Sequence, residues 1–357
     1  MKVALVSLEA WDDVWRRNQH LSAELVRQGH ITELLFIEPP VRGGLGLATR
    51  KIHDGITALA PSLPLRKTLG GLVEVGARLR RTALLDIDLI WVNDPTLGVH
   101  TLRGDVPAVY DVTDDWRTAS SPARIRRRII RAENRLAVRA GTIVCSTTLQ
   151  NRWRERYGVE AAVVRNGVDL NAWQDVTHKE LPGVGPHVGY IGTLHEDRLD
   201  IDLVVDLAAT DGVGTVHLVG PDCLSPSSRR RLQATTGVRI HGPVPSPDVP
   251  RWMSAMDVLV TPHKVTEFTL SLDAIKAYEY AASGKPVVAT PTSGFTETQG
   301  RTRRVSAGAF PSAVLDALKE PLDSPNLDPS WSWSSRAEEF WSHLRPVFPA
   351  QELGSSR

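Results

Sequence analysis

Lys276 and Glu279 stand three residues apart within Phe268 to Thr290, a stretch whose middle reads as a helix ending at Gly284 and running straight into the apolar segment Pro286 to Ala289. Residues three apart are neighbours on one helical face, so a cation and a hydroxyl-accepting carboxylate point the same way. Taken alone, such a pair is most often a solvated ion pair; its weight comes from lying beside a strand. Polar residues gather at other strand ends too: Asn93-Asp94 after Trp91-Val92, Asp111 to Asp115 after Val109, and Asn166-Gly167-Val168-Asp169 after Val164. Gly192-Thr193 after Tyr190 and Gly220-Pro221 after Val219 continue the series. In doubly wound sheets ligands bind beyond the carboxyl ends of the strands, where loops and helix N-termini present free backbone N–H groups. A glycine such as Gly192, lacking Cβ, lets the backbone approach a phosphate closely.

The elements that must position these residues read as two series of strand-helix-strand units. Short β-branched runs, each followed by a helix-length segment, occupy Val3 to Leu8, Leu34 to Ile37, Leu89 to Val92, Ala108 to Val112, Thr142 to Ser146 and Ala162 to Val164. A fresh series follows with His187 to Ile191, Val216 to Val219, Val238 to His241, Val258 to Thr261 and Pro286 to Ala289. Two parallel sheets are expected. Between them, Asn171 to Pro186 holds Leu181-Pro182-Gly183 and Gly185-Pro186 without a sustained period, which reads as a connection, with the boundary near residue 175. The division is therefore 1–175, 176–333 and a last segment, 334–357. In that segment Ala337, Phe340, Trp341 and Leu344 form an apolar helical face that must dock, the N-terminal domain being the expected partner. Ser246-Pro247-Asp248 reads as a helix start, with an N-cap, a proline in the first turn and an acid near the positive end.

Composition narrows the function classes. With 357 residues the chain can bury two full-sized cores, and 42 Lys and Arg against 41 Asp and Glu leave a formal charge of +1. No strong field seeks a polyanion, and the basic runs lack interleaved aromatics, so nucleic acid is not expected as a partner. The two cysteines, Cys145 and Cys223, call for no oxidising compartment, and Cys145 lies in an apolar run. The N-terminal run turns polar at Glu9, too early for a signal peptide, and no stretch approaches the roughly 20 apolar residues of a membrane span. A cytoplasmic chain is expected, with any membrane contact peripheral, on the inner face of the plasma membrane.

Lys276, Glu279, Tyr280, Ala282, Gly284, Lys285, Pro286, Val287 and Val288 follow the pattern Lys-x-x-Glu-Tyr-x-Ala-x-Gly-Lys-Pro-Val-Val. This resembles the C-terminal half of the family 4-like (group 1) glycosyltransferases of the GT-B fold. The resemblance extends to Asn166-Gly167-Val168-Asp169, to Gly189-Tyr190-Ile191-Gly192-Thr193-Leu194 and to Asp257-Val258 before Pro262. Near the start, Trp11, Arg17 and Gln19, with Leu21, are similar to the opening Trp-x-x-x-x-x-Arg-x-Gln of a bacterial subgroup of cell-surface glycan enzymes. Tyr110-Asp111-x-x-Asp114 follows later.

The resemblance implies an α/β protein of two Rossmann-like doubly wound domains facing a central cleft, and an enzyme moving a sugar from a nucleotide-diphosphate donor to a glycan, lipid-linked or small-molecule acceptor. It implies that Glu279 is the second glutamate of a Glu-x7-Glu motif and bonds the ribose hydroxyls, since a carboxylate accepts two hydrogen bonds from a cis-diol. Eight positions earlier, where the first glutamate belongs, stands Ser271; Asp273 and Glu267 are the neighbouring acids, and the sequence does not choose between them. A leaving diphosphate gathers negative charge, for which Gly192, Thr193, Arg198, Lys264 and Lys276 are the expected partners. Arg198 has a bland alternative, an ion pair with Glu196 or Asp202. Asp94, Asp111 and Asp114 are expected at the cleft, one of them orienting the acceptor hydroxyl, with Trp11, Arg17 and Gln19 on the acceptor side.

Relatives generally retain anomeric configuration, which implies a same-face transfer with no protein nucleophile, no cofactor and no required metal. Two rivals remain: a nucleotide-sugar epimerase of the same fold, and a nucleotide-sugar-binding protein without transfer, which Ser271 keeps open.

Residues 124–135 hold six arginines against one acid, with Ile125, Ile129 and Ala132 at helical spacing. Such a basic amphipathic helix can lie on an anionic bilayer, or present a solvated face on an ordinary sheet-covering helix. Arg78, Arg80 and Arg81 form a second cluster, and Gly43-Gly44-Leu45-Gly46-Leu47 reads as a flexible apolar loop.

Overall fold

The apolar runs of the first half become a single sheet, seen in a computed structural model that describes residues 1–12, 14–64, 68–174, 176–177, 179–295, 302–320 and 327–344. Residue 175, the expected boundary, and the tail beyond Leu344 lie outside these. Two compact units emerge, one of Met1–Arg165 with the segment from Trp333, the other of Asn166–Ser332.

The strands of the first unit are β1 (Lys2–Val6), β2 (Glu33–Ile37), β3 (Val41–Arg42), β4 (Gly46–His53), β5 (Ile56–Leu63), β6 (Leu89–Val92), β7 (Ala108–Val112), β8 (Gly141–Val144) and β9 (Ala162–Val163). Its helices are α1 (Arg17–Arg27), α2 (Leu69–Arg81), α3 (Pro95–Gly98), α4 (Ala123–Arg139) and α5 (Thr147–Tyr157). Strand order is β3-β5-β2-β1-β6-β7-β8-β9, parallel apart from β4, which runs antiparallel to β5. Strands β6 and β7 are buried at every residue, as strands covered on both faces must be. The glycine-rich segment expected as a flexible loop is partly strand: Val41 and Arg42 form β3, and Gly46 and Leu47 open β4 opposite Ser62 and Pro61.

The last helix, Trp333–Leu344, belongs to the first unit and buries Trp333, Ala337, Phe340 and Leu344. Trp333 stacks on His20 with centroids 4.6 Å apart, Trp341 stacks on His30 at 4.8 Å, and Phe340 meets Trp91 at 4.6 Å. Burial under this helix pushes the His20 imidazole down to about 4.

The second unit contains β10 (His187–Ile191), β11 (Leu194–His195), β12 (Thr215–Val219), β13 (Asp222–Cys223), β14 (Val238–Gly242), β15 (Val258–Thr261), β16 (Val287–Ala289) and β17 (Thr302–Arg304). Its helices are α6 (Ile201–Ala208), α7 (Pro226–Ala234), α8 (Val249–Ser254), α9 (Ile275–Ser283) and α10 (Phe310–Ala317). The main sheet runs β14-β12-β10-β15-β16-β17, all parallel. Gly284 ends α9 in the left-handed conformation at φ 69°, which explains the abrupt stop ahead of β16. Ser246 does not cap α8: Ser246–Asp248 is a 3-10 turn, and α8 begins at Val249.

In each sheet the strand order reverses at one place, between β1 and β6 in the first unit and between β10 and β15 in the second. A crevice opens at the carboxyl ends there, because the connections leave toward opposite faces. Among the described residues no helix is long and apolar enough to cross a membrane.

Candidate functional site

At the reversal point of the second unit, β10 delivers Gly192 and Thr193, β15 delivers Pro262, His263 and Lys264, and α9 supplies Lys276 and Glu279. Gly192 adopts φ 141°, and a Cβ there would lie 2.7 Å from the Lys276 Nζ. Only glycine allows the ammonium to sit against that turn. The turn is closely packed on its other side as well, since a Cβ on Gly220 would clash with the Gly192 carbonyl oxygen.

Tyr190 is the platform beneath the lysine. The Lys276 Nζ donates to the Tyr190 hydroxyl at 2.8 Å and lies 4.0 Å from the ring centroid. The hydroxyl in turn donates to the Thr193 carbonyl oxygen at 3.1 Å and lies 3.1 Å from the His263 Nε2. Tyr280 ties the two strands of the crevice together: its hydroxyl accepts from the Ile191 N–H at 3.0 Å and donates to the Val260 carbonyl at 3.3 Å.

The electrostatics suit an anion. Burial lowers Lys276 to about 7, the neighbouring Arg198 acts in the same direction, and Glu279 only partly opposes them. Burial raises Glu279 to about 7, with Lys276 pulling the other way. His263 is held well below its usual value by burial, then by Lys276, Arg198 and His195. A bound phosphate would relieve this crowding of cationic groups and draw a proton onto Lys276.

Arg198 packs its guanidinium 4.8 Å from the Phe268 ring centroid. The two acids considered as its partners have other bonds: Asp202 pairs with Arg231, and Glu196 accepts from the Ser225 N–H at 2.9 Å and the Ser228 hydroxyl at 2.7 Å. Lys264 anchors the same loop, its Nζ donating to the Glu196 carbonyl at 2.9 Å and its N–H to the Arg198 carbonyl at 2.7 Å. Ser271 is fully buried in the 3-10 turn Thr269–Ser271, where its hydroxyl donates to the Phe268 carbonyl at 2.7 Å. Asp273 is buried too, accepting from the Asn166 N–H at 2.6 Å and the Tyr278 hydroxyl at 2.9 Å, whereas Glu267 is exposed.

In the first unit Arg17 and Asp111 are brought together, while the other expected residues bond to their own neighbours. Arg17 forms a buried bidentate pair with Asp111, Nε to Oδ2 at 3.0 Å and Nη2 to Oδ1 at 3.0 Å, and Nη1 donates to the Arg165 carbonyl at 3.1 Å. Asp94 caps α3, accepting from the Thr96 N–H and hydroxyl, each at 2.7 Å, and burial raises its pKa. Gln19 turns back to accept from the Arg16 N–H at 3.0 Å, which starts α1. Trp11 is buried edge-on to Phe36 at 5.0 Å, and its N–H donates to Glu38 at 3.0 Å. Asp115 is held by Arg152 and Arg156 at 2.6 and 2.7 Å. Asp114 alone of the three expected carboxylates is half-buried rather than buried, at the end of β7 beside the Thr113 hydroxyl at 3.1 Å.

Sequence reasoning missed Tyr190 and His263 in the second unit. It also missed Asn18, whose Nδ2 donates to Asn93 Oδ1 at 2.8 Å across the reversal point of the first. The signal for His263 was its place right after β15, next to Lys264; a lone tyrosine inside a strand carries no such signal.

Residues 185–324 match the family model described as Glycosyl transferases group 1, and residues 14–172 match that described as Glycosyltransferase Family 4. A protein of Bacillus subtilis (strain 168) named for teichuronic acid biosynthesis as a glycosyltransferase, TuaH, is 26% identical over 322 residues, covering 81% of this chain and 80% of its own. Among solved structures, sucrose-phosphate synthase from Thermosynechococcus elongatus superposes with a TM-score of 0.70 at 18% identity, over 97% of this chain and 94% of that one. HepE of Anabaena, in complex with UDP and glucose, gives 0.69 at 15% identity, over 97% and 100%. At such identities the structural likeness establishes the fold.

Proposed function

The chain belongs to the group 1 glycosyltransferases of the GT-B fold, and on that premise we propose that it holds a nucleotide-diphosphate sugar on its second unit and transfers the sugar to an acceptor held by its first. One observation carries this reading: Lys276, Gly192 and Arg198 gather around the crevice between β10 and β15, with Glu279 one helical turn along α9 from Lys276. Glu279 accepts from the ribose hydroxyls, and Lys276 and Arg198, with the Gly192-Thr193 turn, take the diphosphate. HepE, described in complex with UDP-glucose, is a neighbour whose ligand fits this division of labour.

The transfer is of the retaining, same-face kind and needs no metal. The acceptor oxygen bonds to the anomeric carbon as the bond from that carbon to the diphosphate oxygen breaks. The acceptor proton passes to the departing diphosphate, so no protein nucleophile takes part. Lys276 and Arg198 stabilise the growing charge. Because burial holds Lys276 near 7, diphosphate binding takes up a proton at neutral pH and above. Of the expected acceptor carboxylates Asp114 is the one we retain, since it is half-buried just past the end of β7, whereas Asp94 and Asp111 are buried. Arg17, Gln19 and Trp11 then shape the acceptor side from within. The acceptor is a glycan, a lipid-linked molecule or a small molecule, and the arginine face of α4 meets an anionic membrane surface.

A thermal-shift panel of UDP-, GDP- and dTDP-sugars identifies the donor, since ligands that favour the native state raise its melting temperature. The same donor is then followed with and without acceptor extracts, and the product's anomeric configuration is read. Transfer with retention supports the proposal. Conversion of donor to an epimer without acceptor, or stabilisation by donor with no turnover under any acceptor, replaces it with one of the two rivals; the buried Ser271 favours the second.

A further inference from the structure

On the first unit, α2, α3 and α4 enclose a recess of about 410 Å³. One wall is a row of guanidiniums, Arg124, Arg127, Arg128, Arg131 and Arg135. Spacings of three and four along α4 put these five on one stripe, beside the stripe Ile129, Ala132 and Leu136 that packs toward the sheet. The rest of the lining is mixed: Thr96, Val99 and His100, and an apolar part from α2, where Leu69 and Val73 are left 46% and 45% exposed.

Several arginines elsewhere are paired, Arg152 and Arg156 with Asp115, Arg154 with Glu160 and Arg229 with Asp222. In the recess Arg124, Arg127, Arg131 and Arg135 have no carboxylate within ion-pair distance among the described residues. Asp94, whose charge Arg128 does influence, has an oxygen engaged in capping α3. Like charges at these helical spacings repel, so the row is unfavourable until an anion lies among them. Guanidinium forks match phosphate oxygens two at a time, and a ligand that also covers Leu69 and Val73 must carry hydrocarbon.

We propose that this recess is a head-group site for a phosphate-bearing lipid, with a phosphomonoester or diphosphate among the α4 arginines and the first methylenes of its chain against Leu69 and Val73. It rests on the reading that α4 meets an anionic surface, and sharpens that reading from a diffuse face to a defined pocket. Arg126 is the internal control. It lies on the same helix, exposed, yet does not line the recess.

The test is co-sedimentation of the full chain with phosphatidylcholine vesicles doped with phosphatidic acid, a monoester, or with phosphatidylglycerol, a diester, matched in surface charge. Binding is expected to be at least about tenfold tighter to phosphatidic acid. The double variant Arg127→Gln/Arg131→Gln is expected to lose about tenfold or more, as charge-assisted phosphate contacts would. Arg126→Gln stays within about twofold, with melting temperatures confirming that both variants fold. A diffuse face would instead lose about fivefold for each arginine removed, whichever it is. Equal binding to the two lipids, or equal loss per arginine for Arg126→Gln and the recess pair, overturns the pocket and leaves the face. No binding to either vesicle at low salt overturns both. Tight binding of inorganic pyrophosphate without vesicle binding also overturns the lipid assignment, leaving a soluble phosphate in its place.

Discussion

At the strand ends of the first unit, polar groups satisfy one another: Asp111 with Arg17, Asp94 with the start of α3, Asp115 with Arg152 and Arg156, Asn93 with Asn18. At those of the second unit, Lys276 and Glu279 are both pushed to about 7 by burial, and Lys276 leans on a tyrosine ring. The same winding thus serves two ends. A closed network fixes the backbone and tolerates little, whereas a site left electrostatically incomplete is ready for a ligand to complete it. Position at a strand end therefore nominates a residue; the partners it already has decide what it does.

The sharpest way to break the contrast is to open the closed network. Asp111→Ala removes the bidentate carboxylate partner of the buried Arg17 and is expected to destabilise the first unit by about 3–5 kcal/mol in denaturant unfolding. Nucleotide affinity measured on the folded fraction stays as in the unsubstituted protein; a weakened affinity would merge the two roles.

Lys276→Met should behave in the opposite manner. Removing a half-buried, desolvated cation leaves thermal stability unchanged or higher, while the loss of charge-assisted contacts weakens nucleotide-diphosphate binding by about 2 kcal/mol, on the order of thirtyfold. Lower stability with intact binding would make the lysine a structural group like Arg17.

A different buried group gives the second unit an acid limit. His187, His217 and His241 form a hydrogen-bonded chain across β10, β12 and β14, at 3.0 and 2.9 Å, and burial, then His241 and His187, lowers His217 to about 4. Its folded pKa lies below the usual value, so the unfolded chain binds more protons between the two. The associated stability is full above about pH 6.5 and is lost as pH falls through 4, up to about 3 kcal/mol. Unfolding free energies across that window check it, and His217→Asn should flatten the slope.

The smallest expected effect separates a cap from a catalyst. Asp94→Asn keeps a good N-cap and should alter stability and turnover little, whereas Asp94→Ala costs about 1 kcal/mol. A folded Asp94→Asn protein without transfer would return this residue to the reaction.

Much of the fold is legible because buried parallel strands are continuous apolar runs: Leu89–Val92, Ala108–Val112, His187–Ile191 and Val258–Thr261 fall where the runs place them. The pair β4 and β5 is not, since β4 (GLATRKIH) has an exposed, charged middle and β5 contains Pro61, so neither looks like a covered strand. The Lys276–Glu279 pair is legible from local spacing. The pairing of Asp111 with Arg17 spans 94 residues, and Tyr190 reaches Lys276 across 86, separations at which one sequence carries no register.

The most direct test of the central claim is a calorimetric titration, at pH 7, of the nucleotide diphosphate chosen by the panel into the unsubstituted protein and into Glu279→Gln. A carboxylate gripping the ribose diol should make the variant bind about tenfold or more weakly, with an unaltered melting temperature for the free protein. Equal affinity in the two proteins would contradict the account.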